Sequence, residues 1–115
     1  MKLEKRVLVV VRAFGFVVTV LLRGIRGIEA VTLFDSCEDL LKFLASRRGV
    51  AGEINCVATI EDACRDEIES LGLDIVEPES LPRVLRDEVR KATSLAISVG
   101  AHTFVRMIEV LRADR

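Results

Sequence analysis

The chain has 115 residues, half of them apolar and 30% charged, with a formal net charge of −1. That length fits one domain able to bury its own core, and the composition excludes a disordered chain. The near-neutral balance gives no electrostatic footprint for nucleic acid, which is not expected as a partner.

The N-terminus places Lys2, Lys5 and Arg6 before an apolar run, as a secretory leader does. Arg12 interrupts that run and no small-residue cleavage site follows, so a buried strand is the preferred reading and no membrane association is expected. Val7–Val11, a continuous apolar run, reads as a strand covered on both faces. Phe14, Val17, Val18, Leu21, Leu22, Ile25 and Ile28 then follow the i, i+3, i+4, i+7 template of a first helix. The β-branched Val17, Val18, Thr19 and Val20 pull the other way. This helix is also apolar on its opposite face, at Phe16 and Val20, and is expected to carry a homo-oligomer contact.

Ala30–Phe34 reads as a second strand and Cys37–Ser46 as a second helix. Ile54–Ala58 and Ile60–Leu71 repeat the pattern as a third strand and a third helix, with Gly72 as the C-terminal cap. Leu73–Val76 is a short fourth strand, and Pro82 opens a helix from about Leu81 to Ala92. In the tail, Leu95, Ile97 and Val99 alternate with Ser94, Ala96 and Ser98. That period favours a fifth strand ended by Gly100, then a helix Ala101–Arg112; the competing reading is one helix from Leu81 to Arg112. The whole is expected to be a single α/β domain over residues 1–115: a three-layer sandwich with a four- or five-stranded, mostly parallel sheet of Rossmann-like or flavodoxin-like form.

"VTLFDSCEDLLKF" and "INCVATIEDACRD" are built alike. Each is a strand, then Ser36 or Thr59, then Asp39 or Asp62 three residues on. Both read as capping boxes with Asp in place of Glu, their acidic first turns facing the positive end of the helix dipole. With those N-termini occupied by the protein's own carboxylates, and no G-x-G-x-x-G or P-loop motif, nucleotide binding there is disfavoured.

Candidate chemistry gathers at the carboxyl ends of the strands. Cys37 stands at a helix N-terminus, which favours thiolate, although Asp35, Glu38 and Asp39 oppose it. Cys56 lies inside the third strand, where a cysteine ordinarily packs as a small hydrophobe. His102, the only histidine, follows Gly100 and is a candidate base or thiol partner if the tail is a strand. Three cysteines without C-x-x-C spacing read as reduced thiols, with no zinc site and no disulfide framework. Asp35, Glu38, Asp39, Glu61 and Asp62 also admit a magnesium reading, although capping explains four of them. Arg83, Arg86, Arg90 and Lys91, interspersed with Asp87 and Glu88, read as a solvated helix face. Thirteen of the seventeen basic residues are Arg, and the only side-chain amide is Asn55. Amide-poor usage is seen in thermophile proteins.

"CVATIEDACR", with the order of elements around it, resembles the third-strand segment of DsrE/DsrF-like proteins. The likeness at motif level covers residues 54–65; Val57 and Asp66 stand where family members often carry Gly. The resemblance implies a cytoplasmic α/β homo-oligomer in sulfur relay. It would carry a persulfide on Cys56, with Cys37 or His102 as neighbour and a sulfur-donor protein as partner, and it needs no cofactor or metal. The thiolate would attack a donor persulfide and hand the sulfur on. The alternatives are a non-catalytic oligomeric interaction module and a magnesium-dependent phosphoryl-transfer or nuclease domain using Asp35 and Asp62.

Overall fold

The computed structural model describes residues 5–46 and 52–113; Lys2 of the N-terminal basic group lies outside them. The elements are strands β1 (Arg6–Ala13), β2 (Phe16–Arg23) and β3 (Ile28–Phe34), helix α1 (Cys37–Ser46), strand β4 (Cys56–Thr59), helix α2 (Arg65–Ser70) and helix α3 (Arg83–Ala113). The fold is a small α+β arrangement around a mixed sheet of order β3-β2-β1-β4. β1–β2 and β2–β3 are antiparallel, and only β1–β4 is parallel.

The expected mostly parallel sandwich is therefore corrected, and the cause lies at residues 14–23. The segment read as a first helix is β2. Phe14 and Gly15 both take positive φ, 54° and 82°, the two-residue geometry that matches strand twist and closes a tight hairpin. All eight residues of β2 then pair with β1, from Ala13↔Phe16 to Arg6↔Arg23. The β-branched Val17–Val20 stretch decides between two periodicities that both fit. Val18, Val20 and Leu22 face one side of the sheet and Val17 the other. Val20 is 0% exposed, so the Phe16/Val20 face expected to join two copies is interior.

One face of the sheet packs on α3 through Val7, Val9, Val11, Val18, Val20 and Leu22 against Leu85, Val89, Ala92 and Ala96. The other packs on α1 and α2 through Leu8, Val10, Val17 and Val57 against Leu40, Leu44 and Ile68. Each fully buried Val or Leu contributes roughly 1.5–3 kcal/mol. At the outer edge, Arg6 reaches across to Glu29 of β3 at 3.0 Å, and that pairing holds the Glu29 carboxyl below its usual range.

The fifth strand is also corrected: residues 93–100 are the middle of the 31-residue α3. The small residues Ala92, Ala96 and Gly100, four apart, face the sheet, while the large Ile97 is exposed. A strand would have turned Ile97 inward; the helix instead uses small side chains to approach β1 closely. The expected fourth strand reduces to a single parallel bridge, Val57↔Ile75. Its bonds are the Val57 amide to the Asp74 carbonyl at 2.7 Å and the Val76 amide to the Val57 carbonyl at 2.9 Å. The expected helix Ile60–Leu71 starts late, at Arg65, after a 3-10 turn over Ile60–Asp62. Gly72 ends it as expected, with φ 74° and its amide on the Glu69 carbonyl.

Candidate functional site

β1, β3 and β4 run in the same direction, because two antiparallel pairings and one parallel pairing separate them. Their carboxyl ends share one edge of the sheet, and Arg12, Asp35–Cys37 and Thr59–Cys64 lie along it. Ser36 caps α1: the Asp39 amide donates to its Oγ at 3.2 Å. Cys37 is then the first residue of α1, 8% exposed, and Cys64, 1% exposed, precedes α2. The two are joined by a disulfide with their Cα atoms 5.3 Å apart. The expectation of three reduced thiols is thus corrected to one pair and one free thiol, Cys56. A cross-link spanning 27 residues is worth about 3–4 kcal/mol if it acts by restricting the unfolded chain. A guanidinium nitrogen of Arg12 donates to the Cys37 sulfur at 3.2 Å.

The backbone beside this bond is unusual. Glu61, Asp62 and Cys64 have φ of 51°, 59° and 57°, in the left-handed region that costs non-glycine residues about 1–2 kcal/mol each. Thr59, expected to be an N-cap, makes no capping bond and ends β4 in extended geometry. Arg65 ties the turn down from outside, with Asp62 and Glu77 at 3.1 Å and Glu69 at 3.2 Å. Those carboxylates, Glu77 foremost, raise the guanidinium pKa further above its usual value. Val11, Arg12, Ile60, Glu61, Thr93 and Ile97 line a cavity of about 150 Å³ at this edge.

The three residues expected to form a thiol site are not brought together. Cys56 sits in the α3-side core opposite Val7, while Cys37 sits in the core on the other face of the sheet. Cys56 is 4% exposed; burial pushes its thiol pKa up, Asp74 adds to this and Lys5 opposes it. His102 is exposed on α3, two residues past Gly100 and so on the side of the helix turned from the sheet. The tail being helical, His102 has no place at a strand end. Among the described residues no three Asp, Glu, His or Cys side chains gather where they could hold a metal, and Asp62 is held by Arg65.

Two roles at the edge escaped the sequence reading. Arg12 was visible only as a lone charge ending a buried apolar run, and Cys64 gave no pairing signal, because in the paired motifs Ile60, not a cysteine, stands at the position of Cys37. No family model and no curated protein matches the chain, so the likeness to DsrE/DsrF-like proteins gains no support from comparison.

Among the described residues, the distal half of α3 carries an apolar surface with no partner in the chain beyond Phe14. The buried residues of α3 end at Gly100. Beyond it the apolar line continues at intervals of three and four through Phe104, Met107, Ile108 and Leu111, beside Val105 and Val110. Val105, Met107, Val110 and Leu111 are 44–60% exposed. Phe14, at the hairpin tip, lies with its ring 5.9 Å from that of Phe104 and is itself 53% exposed. By length and composition α3 would also pass as a membrane span, with 11% of its most apolar window buried.

Proposed function

We propose that this protein is a non-catalytic module that self-associates through the distal half of α3. The observation that carries the reading is the apolar stripe Phe104–Met107–Ile108–Leu111 on a helical segment with no buried residue. Thirteen helical residues standing alone are marginal in water, so the segment calls for cover. Phe14, Met107 and Leu111 are each exposed over roughly half their surface, and Phe104 and Ile108 are half-buried between them. A specific interface between two copies needs roughly 1,000 Å² in all, and the stripe with Phe14 is the apolar surface available for it. Closed two-fold dimers are the commonest solution for a self-complementary patch.

A membrane is a poorer occupant. The proximal half of α3 is committed to the sheet through Leu85, Val89, Ala92 and Ala96. The distal half spans only about 20 Å, carries Arg106, Glu109 and Arg112, and falls short of a hydrocarbon core of about 30 Å. The sulfur-relay reading needs a reachable Cys56 thiol, and the burial of that side chain favours the module instead.

Sedimentation velocity over a wide concentration range tests this reading. The wild-type chain is expected to be dimeric, and Leu111→Glu, at an exposed position, to be monomeric with an unchanged circular dichroism spectrum. A wild-type protein that stays monomeric at every concentration removes the proposal.

A further inference from the structure

The turn at residues 60–64 has a conformation that its own sequence does not favour. Thr59 and Asp62 are spaced as a helix start, and Ile60–Leu71 carries helical periodicity. Yet Glu61, Asp62 and Cys64 are all left-handed. Among the described residues, the Cys64 and Arg65 amides have no backbone acceptor. The covalent constraint on this turn is the bond from Cys64 to Cys37, and Cys37 is fixed by the Ser36 cap and by the packing of Leu40 and Leu44.

We propose that the Cys37–Cys64 disulfide is a thiol–disulfide exchange site for a dithiol reductant, and that its opening lets residues 60–64 wind onto the front of α2. Cys37 is the less buried of the two residues, 8% exposed against 1%, and its sulfur lies 3.2 Å from the Arg12 guanidinium, which draws in an attacking thiolate. The first thiolate of the dithiol bonds to the Cys37 sulfur. The Cys37–Cys64 bond breaks, its electron pair goes to Cys64, and Cys64 takes a proton. The second thiol of the reductant loses its proton and attacks the reductant sulfur already bonded to Cys37. This closes the reductant's own disulfide and expels Cys37 as a thiolate. The two cysteines are reduced and the dithiol is oxidised. Arg12 and the N-terminus of α1 both stabilise the departing Cys37 thiolate, which speeds the second step. Once Cys64 is released, the cap and helix start encoded by Thr59, Glu61 and Asp62 can form. Arg65 stays within reach of Asp62 and Glu69 at helical spacing.

The test uses the intact protein and dithiothreitol, with alkylation and mass analysis to count thiols and amide exchange to follow the turn. Native protein should gain two alkylated cysteines, Cys37 and Cys64, while Cys56 stays unmodified. Arg12→Gln, at an exposed position, should slow that gain on the order of tenfold. Amide exchange at Cys64 and Arg65 should slow on reduction, also on the order of tenfold, as those amides acquire helical acceptors. A disulfide that opens only in denaturant overturns the proposal. So does an Arg12→Gln rate equal to wild type, or exchange at Cys64 and Arg65 that is unchanged or faster after reduction.

Discussion

Gly100 of α3 lies so close to Ala13 of β1 that a Cβ built on the glycine would stand 2.6 Å from the Ala13 Cβ and 2.8 Å from its carbonyl oxygen. This contact fixes where the helix leaves the sheet, since Gly100 is the last buried residue of α3.

Gly100→Ala should therefore destabilise the fold, although alanine is the better helix former by about 1 kcal/mol. The opposing atoms are backbone and a Cβ, which cannot swing aside, and overpacking of this kind costs about 1–3 kcal/mol. A net loss of up to about 2 kcal/mol is expected in chemical denaturation, and Gly100→Val should lose more.

The twin capping motifs should part company in the oxidised protein. Ser36→Ala removes the bond accepted from the Asp39 amide and should cost about 1 kcal/mol. Thr59→Val removes no capping bond and keeps a β-branched shape at the end of β4. Its stability should stay within about 0.5 kcal/mol of wild type.

Cys56 gives the pH dependence. Burial raises its folded-state pKa, so the unfolded chain loses that proton first as pH rises. The contribution is complete below the unfolded thiol pKa of about 8.5 and declines above it, as pH climbs towards the folded value. Stability measured from neutral pH into the alkaline range should fall for this reason, and Cys56→Ala should flatten that part of the decline. In the native protein at neutral pH the same thiol should label slowly, and in denaturant rapidly.

Much of the local structure was legible where one signal dominated. Val7–Val11 was read as a buried strand and is one, within β1, and the helix expected at Cys37–Ser46 behind the Ser36 cap is α1 at its observed bounds. Residues 14–28 misled because they satisfy both the helical and the strand period. The deciding feature is a left-handed Phe14 in the hairpin turn, and phenylalanine is not a residue that announces such a turn. In the tail, Leu95, Ile97 and Val99 mimic a strand, while Ala92, Ala96 and Gly100 carry the real contact; small residues give weak hydrophobic signals. At residues 60–64 the capping motif and helical period pointed to a helix start, yet the chain takes a 3-10 turn with left-handed Glu61, Asp62 and Cys64 beside the Cys37–Cys64 bond. Residues 35–39 and 56–62, expected to be neighbours, do share the carboxyl edge of the sheet, with β2 and β1 between their strands; the contact there is made by Cys64, just past the expected stretch, with Cys37. The expected grouping of Cys56 with Cys37 and His102 failed for a simpler reason. Side-chain alternation sends Cys56 to the opposite face of the sheet from Cys37, and α3 carries His102 away from it.

Self-association through α3 is tested most directly by amide hydrogen exchange at residues 104–111, followed as a function of protein concentration. An unsupported segment of this length frays, whereas one packed against a second copy does not. The account predicts protection across Phe104–Leu111 that rises with concentration and is lost in Leu111→Glu. Exchange at these amides that is equally fast at every concentration, in wild type and variant alike, would contradict it.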